Sequence, residues 1–236
     1  MNAERVPVFA TNNQAVSSRI AIQVHGQVRA LILNPAFPCH LGRSAVSTGN
    51  YRFGLYRDMS DPKSILGLAR DLYTYTEDRK TVFLNKFATF IVSFENPRDL
   101  DEKGFEDEIW KLLQQIHNLD RSAWNSSVSA DPDDPKFAFS FAGDAFFVVG
   151  MHGRSSRYSR TFPWPTLVFN AQDQFETLRN RGQFQKAQEI IRKNDMLLQA
   201  TINPSLTNFG DDSAAKQFSG RLVESDWKCP FRLKDS

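Results

Sequence analysis

The chain is poor in residues that staple or ligate. It has two cysteines and four histidines among 236 residues. Cys39 and Cys229 lie far apart and neither belongs to a Cys-x-x-Cys pair, which argues against a zinc ribbon or a thioredoxin-type site. No apolar run approaches about 18 residues, so no membrane span is expected. Met1-Asn-Ala-Glu-Arg-Val6 lacks a hydrophobic signal core, so a cytoplasmic location with free thiols is expected. Charge of one sign is also missing. Twenty-nine basic residues face 27 acidic ones, for a net charge of +2. With no basic block, nucleic-acid binding has no electrostatic support. There is no internal repeat and no clear linker.

What is abundant is phenylalanine, with twenty in the chain and a hydrophobic fraction of 41%. That suits an aromatic core, or a pocket for a flat apolar ligand. Val16, Ile20, Val24, Val28 and Leu31 predict an amphipathic helix over 15–33, interrupted by nothing stronger than Gly26. Phe37-Pro-Cys39 reads as a tight apolar loop and Tyr51–Tyr56 as a short strand. Pro62 suits a first helical turn, with Ile65, Ala69, Leu72 and Tyr73 marking the helix that follows. Phe87–Phe94 reads as a buried strand. Phe105, Ile109, Leu112, Leu113 and Ile116 mark a helix with an acidic start at Glu106-Asp-Glu108. Asn125–Pro135 reads as a loop. Phe137–Phe141 and Ala145–Val149 read as a hairpin turned at Gly143-Asp144. Thr166–Phe169 reads as a strand, with Asn170 capping a helix that buries Phe175 and Leu178. After a break at Gly182, Phe184, Ala187, Ile190, Ile191 and Leu198 mark another helix. The expectation is a flexible N-terminus over residues 1–14. Residues 15–236 are expected to form a single α+β domain with a mostly antiparallel sheet flanked by helices.

The densest chemistry is Val149-Gly-Met-His-Gly-Arg-Ser-Ser-Arg-Tyr-Ser-Arg160. A strand delivers one histidine to a loop that carries Arg154, Arg157 and Arg160. Imidazole ligates metals, and guanidinium forks clamp carboxylates or phosphates. The plainer alternative is a basic surface turn with a satisfied histidine.

An ordered set of segments carries a resemblance. It comprises Phe37-Pro-Cys39, Gly49-Asn-Tyr-Arg-Phe-Gly54, the histidine–arginine loop, Phe162-Pro163 with Thr166–Asn170, Gln174-Phe175, Asn203-Pro204, Phe218-Ser-Gly-Arg221 and Trp227-Lys-Cys-Pro-Phe231. Together, from about Phe37 to Phe231, these segments resemble the YqcI/YcgG family. The resemblance implies a haem-dependent enzyme that N-hydroxylates guanidino nitrogens of arginine-type amino acids. Haem brings a flat apolar ring, two acidic arms and an iron that needs an axial ligand. Two positions depart from the family pattern. Gly153 stands where a proline often follows the histidine, and Gln172 stands where a histidine is common.

On that basis His152 is the expected axial ligand, with Cys39, Cys229 and His40 as rivals. A thiolate opposite oxygen would favour O–O cleavage, whereas a buried thiol that only packs is the alternative for each cysteine. Arg154, Arg157, Arg160, Arg52 and Arg221 are the expected partners of haem propionates or a substrate carboxylate. Asp144 and Glu176 are candidates to orient a guanidinium. His25 and His117 fall in helices and carry no assigned chemistry. The expected activity is therefore a haem monooxygenase acting on a small-molecule amine or guanidine, with an electron donor that no motif names. The alternatives are a haem- or small-ligand-binding protein without turnover, and a structural domain whose arginine loop meets an anionic partner.

Overall fold

In a computed structural model of the chain, which describes residues 8–9, 18–201 and 210–233, one six-stranded sheet is covered on both faces. The expected boundary between a flexible N-terminus and a domain starting at residue 15 lies outside the described residues, as does Asn203-Pro204. The strands are β1 (Val8–Phe9), β2 (Tyr51–Asp58), β3 (Thr89–Asn96), β4 (Phe139–Phe141), β5 (Asp144–Met151) and β6 (Thr166–Ala171). Their order is β1-β2-β3-β6-β5-β4. The β1-β2 and β2-β3 pairs are parallel, and β3-β6, β6-β5 and β5-β4 are antiparallel. The domain is α+β and its sheet is mostly antiparallel.

Six α-helices accompany the strands among the described residues: α1 (Ser18–Leu33), α2 (His40–Ser47), α3 (Pro62–Thr81), α4 (Glu102–Leu119), α5 (Gln172–Asn180) and α6 (Phe184–Gln199). Local chemistry accounts for their ends. Asp61 caps α3 by accepting from the Ser64 amide at 3.0 Å, with Pro62 just inside. Asp101 caps α4 through the Gly104 amide at 2.8 Å. That helix begins earlier than its acidic cluster suggested, and Glu106 is buried in an ion pair with Arg221. Gly182, at φ +66°, separates α5 from α6. Asn170 does not cap α5. It is a strand residue whose side chain bonds Thr89 Oγ1 and the Phe147 carbonyl, and Ala171 occupies the cap position.

Alternation along the strands divides two interiors. Phe90, Val92 and Phe94 of β3, Phe146 and Val148 of β5, and Leu167 and Phe169 of β6 pack under α3 and α4 in the larger core. The C-terminal residues Phe218, Cys229 and Phe231 complete that core. On the other face Phe53, Ile91, Met151 and Val168 meet α1, Phe162 and Trp164. Gly150 sits where α4 comes closest. A Cβ there would lie 2.7 Å from Ile109, 2.9 Å from Phe105 and 2.9 Å from the Phe218 carbonyl oxygen. Its own amide donates to that carbonyl at 2.7 Å.

Candidate functional site

Two neighbouring chambers open on the α1/α2 side of the sheet, beneath α5 and α6. The larger, about 210 Å³, has a floor of Ile91, Phe147, Val149, Met151 and Val168 and a wall formed by Phe37, Pro38 and Cys39. The smaller, about 140 Å³, lies between α5 and α6. They share Leu41, Phe147, Phe175 and Ile191. Side by side they reach the size of small-molecule sites, roughly 300–1,000 Å³.

The β-strand period decides which predicted residues reach this space. Val149 and Met151 point into the larger chamber, so the next residue, His152, turns to the opposite face. There its ring stacks on Phe105 with centroids 4.4 Å apart, only 2% of the residue is exposed, and it bonds the Leu100 backbone. Its Nδ1 is buried without a partner, and burial holds its pKa below the usual value. The expected axial ligand is thus a core histidine, separated from the chambers by the sheet. His40 opens α2 beside Cys39 but does not line either chamber. Cys229 is in the α3/α4 core, where burial pushes its thiol up to about 12.

Cys39 remains, and its surroundings are specific. It is the N-cap of α2, and its sulfur accepts the Gly42 amide at 3.3 Å. Burial pushes the thiol up, while amide hydrogen bonds from Gly42 and Leu41 and the charge of Arg160 pull the other way. The net result is a thiol, pre-arranged for negative charge but not ionised by the protein alone.

The five arginines separate into different roles. Arg160 lines the larger chamber, buried, donating to the carbonyls of Gly150 at 2.9 Å and Gln217 at 3.4 Å. It has no carboxylate within ion-pair distance among the described residues, and burial draws its pKa down to about 10. Arg157 is one step behind. It pairs with Asp195, itself on the chamber wall, and donates to Thr201 Oγ1 at 2.7 Å, which ties the loop to the end of α6. Arg154 is 60% exposed and pairs with Asp99 on the surface. Arg52 pairs with Asp78 and lies over the Phe83 ring, and Arg221 pairs with Glu106 and Glu224. Neither of these two approaches the chambers. Asp144 is taken up by Arg79, which also holds Asp173, and Glu176 pairs with Arg179 on the surface of α5. Neither can orient a substrate in the larger chamber.

Residues 28–232 match the YqcI/YcgG family. The chain belongs to that family. It is 30% identical to the uncharacterized protein YcgG of Bacillus subtilis (strain 168) over 205 residues, 83% of this chain and 80% of the relative. It is also 30% identical to the uncharacterized protein YqcI of the same organism over 206 residues, again 83% and 80%. No solved structure matches. In this YqcI/YcgG protein, no helix among the described residues is long and apolar enough to cross a membrane.

The donor chemistry limits the groups that such a chamber can hold. A bare metal ion is normally held by three or four protein ligands, and no group of three His, Cys, Asp or Glu side chains converges among the described residues. A porphyrin supplies four nitrogens itself and asks the protein for one axial donor. Cys39 meets that requirement, the floor is apolar and Arg160 supplies a fixed cation. The donor types present therefore suit a haem held through sulfur better than one held through His152, while the larger chamber, at about 210 Å³, has less room than a whole porphyrin occupies.

Proposed function

We propose that this YqcI/YcgG protein is a cytoplasmic haem-dependent monooxygenase that hydroxylates an amino or guanidino nitrogen of an arginine-like small molecule, with Cys39 as the axial ligand. The observation that carries the reading is Cys39, whose sulfur is held by amides at the start of α2 and which lines an apolar chamber together with Arg160. Bound haem supplies the oxygen-activating redox chemistry, and a thiolate ligand pushes electron density toward it. The residues of the chain do the rest. The Leu41 and Gly42 amides fix the sulfur and spread its charge. Ile91, Val149, Met151 and Val168 keep water from the floor. Arg160 presents a cation to an acidic arm of the ligand. This assignment needs no histidine at position 172, where the chain has Gln172. Reducing equivalents come from an external donor.

The test is an absorption spectrum of protein reconstituted with hemin, then reduced under carbon monoxide. The expected result is a Soret band, red-shifted with carbon monoxide as thiolate ligation requires, lost in Cys39→Ala and kept in His152→Ala. Failure to take up hemin overturns the reading. Incubation with arginine analogues, reductant and oxygen is expected to yield a product heavier by one oxygen. A coloured protein with no product across a broad amine panel would be a haem-binding protein without turnover.

A further inference from the structure

The smaller chamber carries two groups that the fold leaves unused. Gln172, at the first position of α5, is only 6% exposed, lines the chamber, and its side-chain amide has no hydrogen-bond partner among the described residues. Its polar atoms therefore border the chamber rather than other side chains, and an amide in that position offers both a donor and an acceptor to a ligand. Arg192 of α6 lines the same chamber, half-buried, and makes no ion pair or hydrogen bond among the described residues. No acidic side chain lines this chamber, while Phe147, Phe175 and Phe184 supply an aromatic wall whose neighbouring rings meet edge to face.

We infer that the α5–α6 chamber is a binding site for a small carboxylate with an apolar body and an amide-like polar group. The carboxylate pairs with Arg192 at the rim, where a cation without a counter-ion selects an anion. The polar group completes the hydrogen bonds of Gln172, because an amide both donates and accepts. The apolar body lies on the phenylalanines. A cationic ligand finds no counter-charge there. The inference goes beyond the haem reading and does not depend on it, since Gln172 and Arg192 line the smaller chamber alone, although Phe147 and Phe175 border both.

Calorimetric titration of the purified protein tests it with three probes: N-acetylphenylalanine, which has a carboxylate, an amide and a ring; 4-phenylbutyrate, which lacks the amide; and agmatine, a guanidinium without a carboxylate. The first is expected to bind most tightly and agmatine not to bind. Arg192→Gln should weaken N-acetylphenylalanine and 4-phenylbutyrate about 10-fold. Gln172→Met should weaken N-acetylphenylalanine about 10-fold and leave 4-phenylbutyrate unchanged. Neither variant should lower the melting temperature, because neither side chain holds the fold together. Agmatine binding as tightly as the acids, or acid binding indifferent to both substitutions, overturns the inference. Hemin uptake that is lost in Arg192→Gln also overturns it, because Arg192 would then serve the porphyrin. A protein that takes up no hemin but gives the expected titrations would sink the haem reading alone.

Discussion

The two faces of the sheet are built from the same strands and solve packing differently. Under α3 and α4 every inward residue of β3 and β6 meets another side chain, and the rings of Phe90, Phe146 and Phe169 touch within about 6.3 Å. Under α5 and α6 the sheet meets helices that bury little of themselves. Of α6 only Ala187 and Asp195 are buried, and the helix is held by polar contacts from Arg157, Ser156 and Pro38. A roof fastened near its C-terminal end by polar contacts at Asn194, Asp195 and Gln199 leaves room beneath it. The closed face stabilises the fold, and the open face has the space and unspent polar groups that binding requires.

That contrast breaks most visibly at adjacent residues of one strand. Phe169 and Val168 of β6 point to opposite faces. Phe169→Ala should cost about 3–5 kcal/mol in urea denaturation, because the surrounding rings cannot collapse into the void. Val168→Ala removes a side chain that already borders empty space, so only the transfer term is lost, about 1 kcal/mol or less. Equal costs at the two positions would mean that the open face is closed in solution.

Gly150→Ala is the next largest. Its Cβ would meet two side chains and a backbone carbonyl under 3.0 Å. Overpacking of that kind costs about 1–3 kcal/mol. Alanine at Gly26, where nothing lies within 4 Å, should instead stabilise α1, by up to about 1 kcal/mol. Thermal or denaturant midpoints of the two variants should move in opposite directions.

Much of this architecture was legible. The four longest helices and the hairpin announce themselves through periodicity, and the antiparallel bias follows from the hairpin and the short β5–β6 connection. The helix α2 was not legible, because eight residues containing Gly42 are too few to establish a helical period and the Phe37-Pro-Cys39 approach reads as loop. Missing α2 hid the meaning of Cys39, whose cap position and amide bonds exist only if a helix starts there. A signal for His152 was present. It follows Met151 on a strand, and a period of two sends it away from Val149. The arginines at 154, 157 and 160 share helical spacing but not a helix, so they scatter to surface, ion pair and chamber wall. Arg192 was beyond sequence reasoning, and Gln172 stood out only as a departure from the family pattern, because what marks both in the structure is the absence of partners, which only folding reveals.

The smallest effect separates the faces by pH. His152 on the closed face and His25 on the open face are both held below the ordinary imidazole value of 6.5 by burial, His25 to about 4 with help from Arg29. Between the folded and unfolded values the unfolded chain binds the extra proton. Stability is therefore full above pH 6.5 and falls as pH drops toward 4. His25 Nε2 and the Tyr51 hydroxyl share a hydrogen bond at 2.8 Å, and that hydroxyl also accepts from Arg29 at 2.7 Å. A proton on His25 is opposed by burial and by the neighbouring Arg29 charge. His152 has no such network, only the Phe105 ring and the Leu100 backbone. His152→Phe keeps a flat ring against Phe105 and removes the titrating group. It should flatten part of the acid-side slope in denaturation measured at a series of pH values, while His25→Phe flattens another part and weakens stability at neutral pH by losing the hydroxyl bond. A His152→Phe variant whose slope matches the parent would mean that this histidine is already solvated, and that the closed face opens at its edge.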